Sequence, residues 1–216
     1  MPLTRRSGFA AAVAVVVAIA APAARQLAAR PADDWSARLE RPERVASLKI
    51  DYIIASLGLK PGDVVADIGA GPGVLSLPLA KAVAPAGKVY AVEIDPAFLD
   101  RIHGKTTQAG IHNVTTVLGA YEDPKLPAND VDVALFHDVL HHIKERAAYL
   151  KATARYLKPG GRIAVVELPA DGSHKDEPEL IVTKDQVGRW MADAGLVPVK
   201  EFSGIEGKWF VVYGRR

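Results

Sequence analysis

The chain has 216 residues, 49% of them hydrophobic and 24% charged, with a formal net charge of +2 and no cysteine. That size and balance fit one globular domain of about 185 residues behind a short leader, and the small, scattered basic excess excludes the basic stripe of a nucleic-acid binder. The lack of cysteine excludes disulfides, thiolate nucleophiles, Cys-ligated zinc, iron–sulfur clusters and a lipid-modified N-terminal cysteine.

In chain order, residues 1–24 read as a signal peptide or membrane anchor. Arg5 and Arg6 form a positive start, Gly8 to Ala21 is uncharged and apolar, and Ala21-Pro22-Ala23 offers small residues at cleavage spacing. The apolar run is shorter than the roughly 20 residues that comfortably span a bilayer, so both export and anchoring stay open, as does the side of the membrane that holds the domain. Residues 25–44, rich in Arg and without apolar periodicity, are expected to be a linker, and the domain is expected to fill 45–216. Val45, Leu48, Ile50, Ile53, Ile54 and Leu57 recur at helical spacing and stop at Gly58.

Beyond Asp63, short apolar strands alternate with helical stretches. Strands are predicted at Val64 to Ile68, Lys88 to Glu93, Val114 to Leu118, Val131 to Phe136 and Gly161 to Glu167. The intervening helices are predicted at Val74 to Val83, Pro96 to Ala109, Val139 to Leu157 and Lys184 to Ala194, the last opened by Thr183 and Gln186 as a capping box. Such alternation implies a parallel sheet with helices on both faces. Leu196 to Phe202 and Lys208 to Tyr213, joined only by a turn, add a hairpin, so one strand near that edge runs antiparallel. The fold class is therefore α/β, a three-layer α/β/α sandwich around a seven-stranded, mostly parallel sheet.

The most informative stretch is Val64-Val65-Ala66-Asp67-Ile68-Gly69-Ala70-Gly71-Pro72-Gly73-Val74, a buried strand that runs into three glycines and a helix. Glycines at a strand-to-helix turn let a ligand lie against bare main chain near a helix N-terminus. A dinucleotide fingerprint wants a small residue at position 74, where this chain has Val, so a nicotinamide-dependent oxidoreductase falls to a minor alternative. Together with the preceding LKPGDVV, the DIGAGPG stretch resembles motif I of the class I S-adenosylmethionine-dependent methyltransferases, and the resemblance extends over about Leu57 to Tyr213. It implies a strand order of 3-2-1-4-5-7-6, S-adenosylmethionine as cofactor, and Asp67, Gly69, Gly71 and Gly73 around its methionine and ribose portions.

Glu93, at the tip of the second strand, can accept hydrogen bonds from two ribose hydroxyls, whereas Asp95, just before Pro96, reads as a helix N-cap. Glu122 and Asp123 resemble the acidic segment that reaches the adenine amino group in many family members, although the family's common Gly-Asp pairing is Gly119-Ala120 here. His137, His141 and His142 follow the fourth strand in a segment similar to the one that flanks the transferable methyl group. His137 is counted with the cofactor contacts, and all three are candidates for orienting the acceptor or taking its proton. On one helix His141 and His142 would point about 100° apart, which argues against a shared metal, and no metal is expected. LKPGG at 157–161 resembles the family's turn into the fifth strand, with structural glycines, and the polar loop around Asp171 to Asp176 is a candidate for acceptor recognition. The implied activity is methyl transfer to a small-molecule or lipid-like acceptor. A non-catalytic module that binds the cofactor is the alternative.

Overall fold

The computed structural model describes residues 32–171 and 176–216. The leader at 1–24, the first part of the expected linker and Gly172 to Lys175 of the acceptor loop lie outside them. The elements run α1 (Ala32–Leu39), α2 (Pro42–Ser47), α3 (Ile50–Leu57), β1 (Val64–Ile68), α4 (Ser76–Val83), β2 (Lys88–Glu93), α5 (Pro96–Gln108), β3 (Val114–Leu118), β4 (Val131–His137), a 3-10 turn (Leu140–His142), α6 (Arg146–Arg155), β5 (Leu157–Glu167), a second 3-10 turn (Pro178–Leu180), α7 (Lys184–Asp193), β6 (Val197–Phe202) and β7 (Trp209–Gly214).

The seven strands form one sheet in the order β3-β2-β1-β4-β5-β7-β6. The first five are parallel and β7 runs antiparallel to both β5 and β6. Strands β1 and β4 are apolar along most of their length because both faces are covered. Ala66, Ile68, Phe136, Ile163 and Val165 pack on one side with α6 and α7, through Tyr149, Leu150, Val187 and Met191. Val65, Val133, Leu135, Ala164 and Val166 pack on the other with α3 and α4, through Ile53, Leu57, Leu79 and Val83.

Local signals set several boundaries. Gly58 closes α3 in the left-handed conformation at φ +60°, Asp95 caps α5 by accepting from the Ala97 N–H, and Thr183 and Gln186 form the expected capping box on α7. Three expectations need correction. Part of the expected linker is helical, α1 and α2: Ser36 is buried, Leu39 reaches the glycine loop, and Arg44 donates to the Leu39 carbonyl at 2.9 Å. The domain thus includes residues 32–44, and the apolar periodicity that first appears at Val45 missed them because α1 is held by a few contacts. The single helix expected over 139–157 is broken into the 3-10 turn and α6, since Asp138 is left-handed at φ +52° and Ile143 is extended. The fifth strand starts at Leu157 and not at Gly161, its ladder to β4 jumping from Val131↔Leu157 to Val133↔Arg162. Gly160, at φ +82°, and Gly161, where a Cβ would stand 2.7 Å from the Val131 carbonyl oxygen, allow that jump.

Candidate cofactor and acceptor site

The register of the sheet decides which side chains share a face. Asp67 is level with Ala91 on β2 and Leu135 on β4, and level residues of parallel neighbours point the same way. Two residues further on, Glu93 and His137 therefore lie on the same face as Asp67, the face covered by α3 and α4. Three neighbouring strands, β2, β1 and β4, thus bring Glu93, Asp67 and His137 to the C-terminal edge of the sheet, where open α/β folds bind their ligands.

The loop after β1 is pinned above them. The N–H groups of Gly69 and Ala70 both donate to the Val92 carbonyl, at 2.9 and 3.0 Å, and the Gly71 N–H donates to Glu93 Oε2 at 2.9 Å. Glu93 Oε1 accepts from the Ile94 N–H at 2.7 Å. All three loop glycines have positive φ, but they differ in what a side chain would meet. A Cβ at Gly69 would stand 2.2 Å from Val139 Cγ2 and one at Gly73 2.9 Å from Ile102 Cγ1, whereas at Gly71 the nearest atom is Leu39 Cδ1 at 3.5 Å. Gly71 is the glycine whose outer side stays open.

Asp67 is 2% exposed and accepts a 2.6 Å hydrogen bond from the Ser76 hydroxyl at the start of α4. Burial lifts its carboxyl to about 6 and also raises Glu93. Neither Ser76 nor Lys105 carries a local sequence signal; the Lys105 ammonium binds both Glu40 and the Pro72 carbonyl and so links the end of α1 to the loop.

At the tip of β4, burial drives the His137 imidazole down to about 4, so the ring is neutral. Its Nδ1 lies 3.6 Å from Asp138, and its Nε2 is buried without a hydrogen-bond partner in the protein. Burial pushes the Asp138 carboxyl up, but His137, Lys208 and Arg44 outweigh it and hold it below its usual value. Lys208 forms an ion pair with Asp138, and Arg44 approaches it to 3.8 Å. These two cations were not singled out in the sequence, where neither sits in a motif.

His141 belongs elsewhere. It is buried on the opposite face, where its Nδ1 lies 2.8 Å from Glu167 Oε1, and the Glu167 Oε2 accepts its backbone N–H at 3.3 Å. Arg146 holds the turn from beneath through the Leu140 and His141 carbonyls. His142 is exposed and its ring lies 4.0 Å from that of His141. Among the described residues, no group of three or more His, Asp or Glu is placed to hold a metal ion.

The acidic pair after β3 is divided. Asp123 accepts from the Lys125 N–H at 2.7 Å and the Tyr156 hydroxyl at 2.8 Å, with Arg155 at 3.5 Å. Its carboxylate fastens this loop to the end of α6. Glu122 is exposed, beside the exposed Tyr121 and close in sequence to the exposed Leu118, and stays available to a base lying against the end of β3.

A family model described as a methyltransferase domain matches residues 66–165. A ubiquinone/menaquinone biosynthesis C-methyltransferase of Ectopseudomonas mendocina is 31% identical over 123 residues, covering 56% of this chain and 48% of that protein. The chain spans about half the length, or less, of the curated relatives it matches. Among solved structures, an S-adenosylmethionine-dependent methyltransferase from Aquifex aeolicus superposes with a TM-score of 0.77 at 24% identity, covering 87% of this chain and all of the other. A geranyl diphosphate C-methyltransferase from Streptomyces coelicolor, in complex with S-adenosyl-L-homocysteine, gives a TM-score of 0.64 at 16% identity over 82% and 86% of the two chains.

Proposed function

We propose that this chain, a class I, Rossmann-like S-adenosylmethionine-dependent methyltransferase, methylates a small, lipid-like acceptor. The carrying observation is the shared face at the sheet edge: a buried carboxylate, Asp67, and a half-buried one, Glu93, beneath a loop whose open glycine is bonded to the second. That donor set fits the cofactor. Glu93 would receive the ribose hydroxyls, Asp67 and the Gly71 main chain would face the methionine portion, and Glu122 is the remaining acidic candidate near the base. When bound, the cofactor supplies a methyl group activated by a sulfonium, so the protein's share is alignment more than acid–base chemistry.

Two features support a small, lipid-like acceptor. Among the described residues, one α-helix and a 3-10 turn lie between β4 and β5 and again between β5 and β6, and no inserted domain stands at the C-terminal edge, which leaves little surface with which to grip a protein or a nucleic acid. Two of the similar proteins are described as acting in ubiquinone/menaquinone biosynthesis and on geranyl diphosphate, both isoprenoid chemistry, and others as acting on sarcosine or dimethylglycine and on mitomycin, which are also small molecules. The apolar run Gly8 to Ala21 would bring the domain to a membrane, where such acceptors partition. Among the described residues no helix is long and apolar enough to cross one, so the targeting role rests on that leader alone. Incubating the full chain with radiolabelled S-adenosylmethionine and a membrane lipid extract tests the reading. Label in an organic-soluble product is expected, and its absence with intact cofactor binding would favour a module that binds without turnover.

A further inference from the structure

Among the described residues, His137 is a buried group at the sheet edge that the cofactor scheme leaves with an unpaired polar atom. Its side chain is 2% exposed and Nε2 has no partner in the protein. A buried polar atom left unpaired is costly, and in native structures most such atoms find a partner in the protein, in water or in a ligand. The ionised Asp138 carboxylate faces the Nδ1 side and favours the ring proton there, so Nε2 presents a lone pair. What completes the bond must therefore be a hydrogen-bond donor.

The charges around His137 bear on the choice of donor. Lys208 and Arg44 act on the ring from one side of the balance and the carboxylates of Asp138 and Glu167 from the other, with Asp138 the strongest of the four. A cationic donor such as the cofactor's ammonium group meets two cations and two carboxylates there and gains little, whereas Asp67 and Glu93, one and two strands away, offer carboxylates with no cation bonded to them among the described residues. A neutral hydroxyl carries no charge to be repelled, and the partial negative charge that its oxygen acquires on donating to Nε2 is favoured by the nearby cations. Access is provided by the cover: α2, which carries Arg44, contributes no buried residue and is held at this point by side-chain contacts.

Resting on the methyltransferase reading above, we propose that His137 binds the acceptor, its Nε2 receiving a hydrogen bond from an acidic, phenol-like or enol-like hydroxyl beside the atom that is methylated. The hydroxyl proton stays on the acceptor oxygen in this contact, so His137 orients and does not remove it.

The test uses the full chain in detergent, saturated with S-adenosyl-L-homocysteine and titrated with 2-prenylphenol or its O-methyl ether. The parent is expected to bind the phenol at least tenfold more tightly than the ether. His137→Leu should lose that preference while keeping its affinity for S-adenosyl-L-homocysteine within twofold, and His137→Gln, which returns an acceptor atom near the Nε2 position, should recover part of it. Nitrogen-15 NMR of the parent should show the His137 Nε2 resonance moving on addition of the phenol and not of the ether. Equal binding of phenol and ether, no binding of either, or an unchanged preference in His137→Leu overturns the proposal. So does a large loss of S-adenosyl-L-homocysteine affinity in His137→Leu, which would assign Nε2 to the cofactor. If the lipid extract is labelled while these arms fail, the methyltransferase reading stands and only the hydroxyl assignment falls; an unlabelled extract strikes the broader reading.

Discussion

Asp67 and His137 stand on adjacent strands, and burial moves them in opposite directions: the carboxyl from 3.8 up to about 6, the imidazole from 6.5 down to about 4. A raised carboxyl contributes stability that is complete below 3.8 and is lost as pH rises through about 6. A depressed imidazole contributes stability that is complete above 6.5 and is lost as pH falls through about 4. Between pH 4 and 6 each changes the unfolding free energy by up to about 1.4 kcal/mol per pH unit with opposite sign, so the pair nearly cancels. Replacing one should expose the other. Relative to the parent, Asp67→Asn should gain about 2 kcal/mol of stability between pH 4 and pH 6, and His137→Gln should lose about 2 kcal/mol over the same interval. Urea unfolding followed by circular dichroism at pH 4, 5 and 6, at fixed ionic strength, measures both. Comparison with the parent at each pH removes the other carboxylates, which titrate in all three proteins. If the stability differences stay constant to within about 1 kcal/mol across the interval, neither group is shifted as its burial requires, and the assignment of a neutral, lone-pair-bearing His137 fails with it.

Glu93→Ala should weaken S-adenosyl-L-homocysteine at least tenfold in calorimetry, because it removes both the expected ribose contact and the bond that holds Gly71. Gly71→Val should abolish that binding with a stability loss near the 1 to 2 kcal/mol of a left-handed side chain, whereas Gly69→Val, driven into Val139, should fail to fold or melt far lower. Asp123→Ala should lower the melting temperature by freeing Tyr156 and Arg155, yet leave cofactor affinity within twofold; a tenfold loss would return Asp123 to the adenine contact. A chain starting at residue 31 should bind the cofactor as the full chain does, while one starting at residue 45 should bind more weakly, having lost Leu39 and Glu40.

The sheet was legible in the sequence because its strands are short apolar runs set between glycines and charged turns, and the hairpin because only a turn separates two such runs. Asp67, the glycine loop and Glu93 were legible for the same reason, as each sits at a fixed offset from a strand end. The segment after β4 was not. A run such as DVLHHIKERAAYL has helical periodicity throughout, and the break depends on Asp138 accepting a left-handed backbone beside Lys208, 70 residues away in sequence. The split between His141 and His137, on opposite faces of the sheet, follows from that break. Arg44 and Lys208 carry no local signal at all, since only the folded chain brings α2 and the start of β7 to the same carboxylate. The helical α1 was missed because its hold on the domain is a few long-range contacts and not a continuous apolar stripe.

The hydrogen bond from the Gly71 N–H to Glu93 bears on more than geometry. A carboxylate already aimed and a loop already closed leave little for an incoming nucleotide to organise, so the ordering penalty of recognition was met when the chain folded. The bond also ties two fates together: whatever loosens the glycine turn misaligns Glu93, and whatever removes Glu93 frees the turn. Natural variation at either position should therefore register first as altered thermal protection by the nucleotide. A chain can keep its fold and still lose the gain in melting temperature that a bound ligand confers.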